Sequence, residues 1–174
     1  MLHKFKGTLP TLGANTWVAP SADVIGNVTC GEDCSIWFGC VIRGDVHYIQ
    51  IGSRTNIQDL SMIHVTHYKN DDKTTGNPTI IGDDVTVGHR VMLHGCTIES
   101  ACLIGMSATI LDGAVIGKES IVGAGALVTK NKVFPPRSLI VGSPAKVLRE
   151  LNDEEVAELY ASASRYVEFK KDYQ

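Results

Sequence analysis

The chain has 174 residues with a formal net charge of −3, and its 44% hydrophobic and 20% charged residues are the make-up of one well-cored globular domain. No run of Lys or Arg offers the basic surface that phosphate binding needs, and no stretch is apolar for long enough to span a bilayer, so composition argues against nucleic-acid and membrane partners. The start, Met1-Leu2-His3-Lys4-Phe5-Lys6-Gly7, lacks the apolar core of a signal segment and the five cysteines are an odd number, which together predict a cytoplasmic, reducing location.

Residues 1–17 read as irregular, with Pro10 and Gly13 as breakers and Trp17 as an apolar plug over one end of a stack of repeats. From Val18 an aliphatic residue recurs every six positions, usually with a small residue four further on: Val18 with Ala22, then after a slip Ile25 with Thr29, Cys30 with Cys34, Ile36 with Cys40 and Ile42 with Val46. An irregular stretch is expected at His47-Tyr48. The rhythm resumes at Ile51, Ile57 and Ile63, breaks for the polar segment 67–78, and returns at Ile81, Val87 and Leu93. After a one-residue slip it holds through Ile98, Ile104, Ile110, Ile116, Val122 and Val128.

A helix would need apolar residues at i, i+3, i+4 and i+7, whereas these segments keep a strict six and are rich in β-branched residues and glycine. They predict short strands that cannot core alone and must coil into a parallel β-helix with the aliphatics stacked inward. Cys34, Cys40 and Cys102 fall on the small inward position and read as small buried hydrophobes, not metal ligands. Pro135-Pro136 and Gly142-Ser143-Pro144 end the coils. Beyond them Asn152 and Glu155 form a capping-box pattern, and Val156, Leu159, Tyr160, Ala163 and Val167 mark the apolar face of a helix whose last turn holds Lys170 and Lys171. The expected organisation is a single domain over 1–174: a β-helix at 18–148 with an insertion at 67–78, then a helix at 152–172.

Three of the six histidines, His64, His89 and His94, ride on this repeat. His64 and His94 each follow an inward aliphatic, and the 30 positions between them include about two units of irregular insertion, so if three units make one coil the two histidines stack. His89 occupies a different position in its hexad. Three imidazoles with an open fourth position are the ligand set with which zinc activates water, although imidazoles also suit iron, cobalt and nickel. His3 and His47 read instead as surface or packing residues.

Three blocks, Arg43-Gly44-Asp45, Asn56-Ile57-Gln58-Asp59 leading to His64, and Gly88-His89-Arg90-Val91-Met92-Leu93-His94-Gly95, resemble the gamma-class carbonic anhydrases and their bacterial relatives among the hexapeptide-repeat proteins. The resemblance implies an all-β fold, a left-handed parallel β-helix closed by a C-terminal α-helix and assembled as a homotrimer. It implies a metal ion, zinc above all, between subunits, with His64 and His94 from one chain and His89 from its neighbour. Gln58 would lie beside the reactive water with Asn56 nearby, and Arg43 and Asp45 would pair across the interface with Asp59 in the same network. Val46 stands where the archetype carries a catalytic glutamate, and His67 stands about where it carries an acidic proton shuttle; an imidazole there could relay protons. The implied activity is interconversion of the small substrates CO2 and bicarbonate. The alternatives are an acyl-CoA-dependent acyltransferase, because Gly142-Ser143-Pro144-Ala145-Lys146 is similar to a segment common in those enzymes, and a non-catalytic metal-binding or assembly protein.

Overall fold

A computed structural model describes residues 1–70 and 74–174, so part of the insertion expected at 67–78, residues 71–73, lies outside the described residues. The hexads form a parallel β-solenoid. On one face Ile36, Ile57, Val87, Ile104, Val122 and Ile140 stack in a column, each no more than 1% exposed. Each such burial contributes about 1.5–3 kcal/mol, so the column is a substantial source of cohesion between coils. From Ile104 to Val122 and from Val122 to Ile140 the registered partners are 18 residues apart, which is three hexads per coil. Val87 and Ile104 are 17 apart, the one-residue slip seen in the sequence. Ile57 and Val87 are 30 apart, one coil of 18 plus the 12 residues of segment 67–78.

Corners are turned by residues of positive φ, among them Leu60 at 62° and Arg90 at 58°. Strand Val41–Ile51 pairs with Met62–His64 at its start and with Thr79–Ile81 at its end, so it bends from one face to the next and joins both in one ladder. His47-Tyr48 therefore lies inside a continuous strand and not in an irregular break, because the alternation of buried and exposed side chains simply shifts phase at Asp45-Val46. That shift also leaves Val46 38% exposed instead of filling the small inward position. Likewise Val24, not Ile25, points inward in strand Asp23–Cys30, one residue from the expected register.

Residues 1–17 are more ordered than their sequence suggests, since Leu2–His3 and Thr11–Leu12 pair in parallel with Asp23–Cys30. Trp17 does not plug an end. It packs edge-on against Trp37 at 5.1 Å and beside Tyr173 at 5.5 Å, on the flank where the C-terminus returns. At the other end Ser138–Gly142 turns back through Ser143-Pro144 onto antiparallel Ala145–Glu150.

The helix α1 (Asp153–Phe169) begins with the expected capping box: Asn152 accepts from the Glu155 amide at 2.8 Å and Glu155 accepts from the Asn152 amide at 3.0 Å. It buries Leu159, Ser162 and Ala163. Tyr160 faces out, 42% exposed, and gives its hydroxyl to Glu119 at 3.0 Å. Lys170 departs furthest from expectation. A terminal lysine usually stays in solvent, but this one is 1% exposed and donates to the Asn15 carbonyl at 2.6 Å and to Asp33 at 3.1 Å. The helix thus straps the last coils to the first. Among the described residues no helix is long and apolar enough to cross a membrane.

Candidate metal centre

Strands Met62–His64 and Met92–His94 are paired so that His94 lies directly on His64. Ile63 and Leu93 point into the core, which forces the residues on either side outward, and both histidines are only partly buried. Nδ1 of His64 and Nε2 of His94 face each other at 3.2 Å. Behind them stand carboxylates: Asp45 lies 2.9 Å from Nε2 of His64, and Asp112 lies 2.8 Å from Nδ1 of His94.

Asp45 also accepts from Arg43, two residues away on the same strand. Burial pushes its carboxyl up, but the bonds to His64 and Arg43 outweigh that and hold it below the usual range. For Asp112 the contest is the same, with burial opposed by Thr66, His94 and Lys130, and the balance leaves it at about 2. Both carboxylates are charged at neutral pH.

His89 stands elsewhere, on the corner that Arg90 turns. One coil below it on the same corner is Asp59, whose carboxylate lies 2.9 Å from Nδ1 of His89. Asn56 and Gln58 belong to this side too: Gln58 donates to Asn56 at 3.1 Å, Asn56 donates to Thr86 at 3.0 Å, and Thr86 meets Ser162 of the helix at 3.3 Å. Tyr166 of the helix stands beside Gln58. Gln58 and His89 line one apolar groove of about 380 Å³ with Leu103, Met106 and Ile121.

The chain therefore presents two separate half-sites. One holds His64, His94, Asp45 and Arg43; the other holds His89, Asp59, Gln58 and Asn56. No cluster of three metal-binding side chains forms within the single chain among the described residues. His67 is exposed and lines a second groove, about 420 Å³, with Asp45, Val46, Lys6 and Tyr68, so it opens onto the first half-site. His47 is buried against Tyr68, ring centroids 4.0 Å apart, and burial pushes its pKa down, the packing role expected of it. His3 pairs with Asp23 at 2.7 Å.

Sequence reasoning missed Asp112 and Tyr166. Asp112 sits 18 positions after His94, so a search at the period of a whole coil would have found it.

The residue separation also suits the implied ion. Two imidazole nitrogens on one tetrahedral zinc, each about 2.0–2.1 Å from it, lie roughly 3.3 Å apart. The facing nitrogens of His64 and His94, at 3.2 Å, match.

A family of hexapeptide-repeat proteins described as bacterial transferase hexapeptide (six repeats) matches residues 95–130. Protein YrdA of Escherichia coli is 53% identical over 99% of this chain and 94% of its own length. The carbonic anhydrase of Geobacillus kaustophilus is 43% identical over 97% of this chain and 88% of its own. The chain belongs to the gamma carbonic anhydrase family. Among solved structures of such hexapeptide proteins, a hexapeptide transferase family protein from Anaplasma phagocytophilum superposes with a TM-score of 0.91 at 35% identity, covering 100% of this chain and 98% of that one.

Proposed function

We propose that this member of the family is a zinc-dependent hydratase interconverting CO2 and bicarbonate, working as a homotrimer in the cytoplasm. The observation that carries the reading is the His64–His94 pair, whose facing nitrogens have the separation of two ligands on one ion while the third histidine of the chain stands on another corner. A partner subunit would bring the missing ligand. His89 of each chain would then complete the site of its neighbour, giving three equivalent sites.

Exposed apolar residues support that assembly. Met62, on the outward side of the His64 strand, is 41% exposed, and Met106, in the groove beside His89, is 56% exposed. Each half-site thus carries a methionine suited to contact with a partner. Arg43 and Asp45 pair within the chain here; in the trimer we assign them, with Asp59, to the same interface, where loss of water would strengthen a pair that contributes little at a surface. The cytoplasmic assignment is supported by five cysteines that are all buried as free thiols.

Bound zinc would supply a nucleophile near neutral pH, because it lowers the pKa of water to about 7. The remaining work falls to the chain. His64, His94 and the neighbour's His89 would hold the ion. Gln58 has its amide nitrogen committed to Asn56, so its oxygen is left to orient a water on the His89 side. His67, exposed in the groove that Asp45 lines, would carry the proton outward. Iron, cobalt or nickel could occupy the same imidazoles.

Metal analysis and CO2 hydration measured on one metal-replete trimer test the proposal. A trimer with one ion per chain and hydration above background is expected; a metal-replete sample with no hydration at any buffer concentration overturns the hydratase assignment. The competing reading is an acyltransferase, favoured by the transferase name of the Anaplasma phagocytophilum structure. Transfer from an acyl-CoA by a metal-free protein would put that reading ahead, and metal uptake without either activity would leave a binding or assembly module.

A further inference from the structure

We propose that Asp112 is a positioning residue of the half-site, fixing His94 in the tautomer that carries its proton on Nδ1 and keeps Nε2 bare. An ionised carboxylate only accepts hydrogen bonds, so the ring nitrogen 2.8 Å from Asp112 must be the donor. A neutral imidazole has one donor and one acceptor, and the acceptor is then Nε2, the atom that faces His64. The consequence for metal binding rests on the proposed zinc site, whereas the tautomer itself does not.

Three neighbours make this contact a built one. The Thr66 hydroxyl donates to the same carboxylate oxygen, Lys130 approaches the other at 3.2 Å, and the Asp112 side chain is only 14% exposed. Gly95, the residue after His94, has φ of 58°, and a Cβ there would stand 2.5 Å from the Asp112 oxygen. Only glycine leaves the carboxylate room to reach the ring. Thr66 is also the neck of the insertion, where its amide donates to the Asn77 carbonyl at 2.9 Å and its carbonyl accepts from the Asn77 amide at 3.2 Å. Asp112 therefore ties the base of the inserted segment to the orientation of His94.

The test begins with metal-free, 15N-labelled protein, in which ring nitrogen shifts report where the His94 proton resides. The wild type is expected to show it on Nδ1, and Asp112→Ala to show a mixture or the Nε2 form. Zn2+ affinity measured by competition is expected to fall about 10- to 100-fold in Asp112→Ala. Asp112→Asn, which keeps an acceptor oxygen and nearly the same shape, should lose less and guards against misfolding of the alanine variant. A wild-type spectrum with the His94 proton on Nε2, or unchanged tautomer and Zn2+ affinity in both folded variants, would overturn the proposal. Failure of the wild type to bind Zn2+ would instead sink the metal-site reading, while the tautomer is decided on the metal-free sample.

Discussion

Lys170 reaches across 137 positions of sequence to Asp33, and the contact is buried at the lysine end. It joins the end of the helical strap to the first coils, with the Asn15 carbonyl as second acceptor. Lys170→Met keeps most of the apolar stem but leaves both acceptors without their donor. A loss of about 1–3 kcal/mol is expected from such unmet groups, read as a lower urea midpoint. An unchanged midpoint would show that the strap is held by Leu159, Ala163 and the aromatic flank alone.

His89→Ala and His94→Ala should each remove most of the bound metal while the far-ultraviolet spectrum and melting temperature stay near wild type. The reason is that the core column is aliphatic and both rings stand outside it. Mixing the two variants is the sharper measurement. In a mixed trimer some interfaces combine an intact His89 edge with an intact His94 edge, so partial metal recovery is expected on mixing and none is expected if each chain binds alone.

Proton release sets a separate expectation. Among the described residues, the groove on the His64 side holds Val46 and no uncommitted carboxylate, since Asp45 is paired with both Arg43 and His64. Hydration should therefore be slow in dilute buffer and rise with buffer concentration. His67→Ala should lower the rate at low buffer, with recovery on adding imidazole and no change in metal content. A variant as fast as wild type in dilute buffer would remove His67 from the proton route.

The thiols give an alkaline signature. Burial pushes Cys40 from 9.0 to about 11, and Cys96 and Cys102 to about 12, so the folded state holds these protons more tightly than the unfolded chain does. The stability this represents is complete below pH 9 and is lost as pH rises from there toward 11–12. Native protein at pH 8 should be nearly inert to a thiol reagent, and all five cysteines should react after unfolding in guanidinium. Fast labelling of the native form would contradict their burial.

The coils are legible in the sequence because each strand reports its inward residue locally, and a six-residue period survives both the slip before Ile98 and the insertion. His64 and His94 are legible for the same reason: each follows an inward aliphatic. The capping box at Asn152 and Glu155 is equally local. What escapes depends on contacts between coils. Asp112 looks like any corner aspartate until the next coil places it behind His94. Lys170 looks like a solvated helix-end cation until Asn15 and Asp33 close over it. Asp59 reads from the sequence as a member of an interface network, and within the chain it supports His89. Ile25 misleads because a β-branched residue suits either side of a strand, and only pairing with Arg43 shows it facing out.

The segment 67–78 leaves and re-enters the solenoid at one point, Thr66 and Asn77 being bridged, so the coil beneath His94 closes as though those residues were absent. Length is thereby uncoupled from register. Residues can be added to or removed from the segment without moving His64 relative to His94, whereas one residue gained or lost within the strands would turn a histidine into the core. The solenoid offers a port at the rim of the half-site where new chemistry can be exchanged while the ligand pair stays in place.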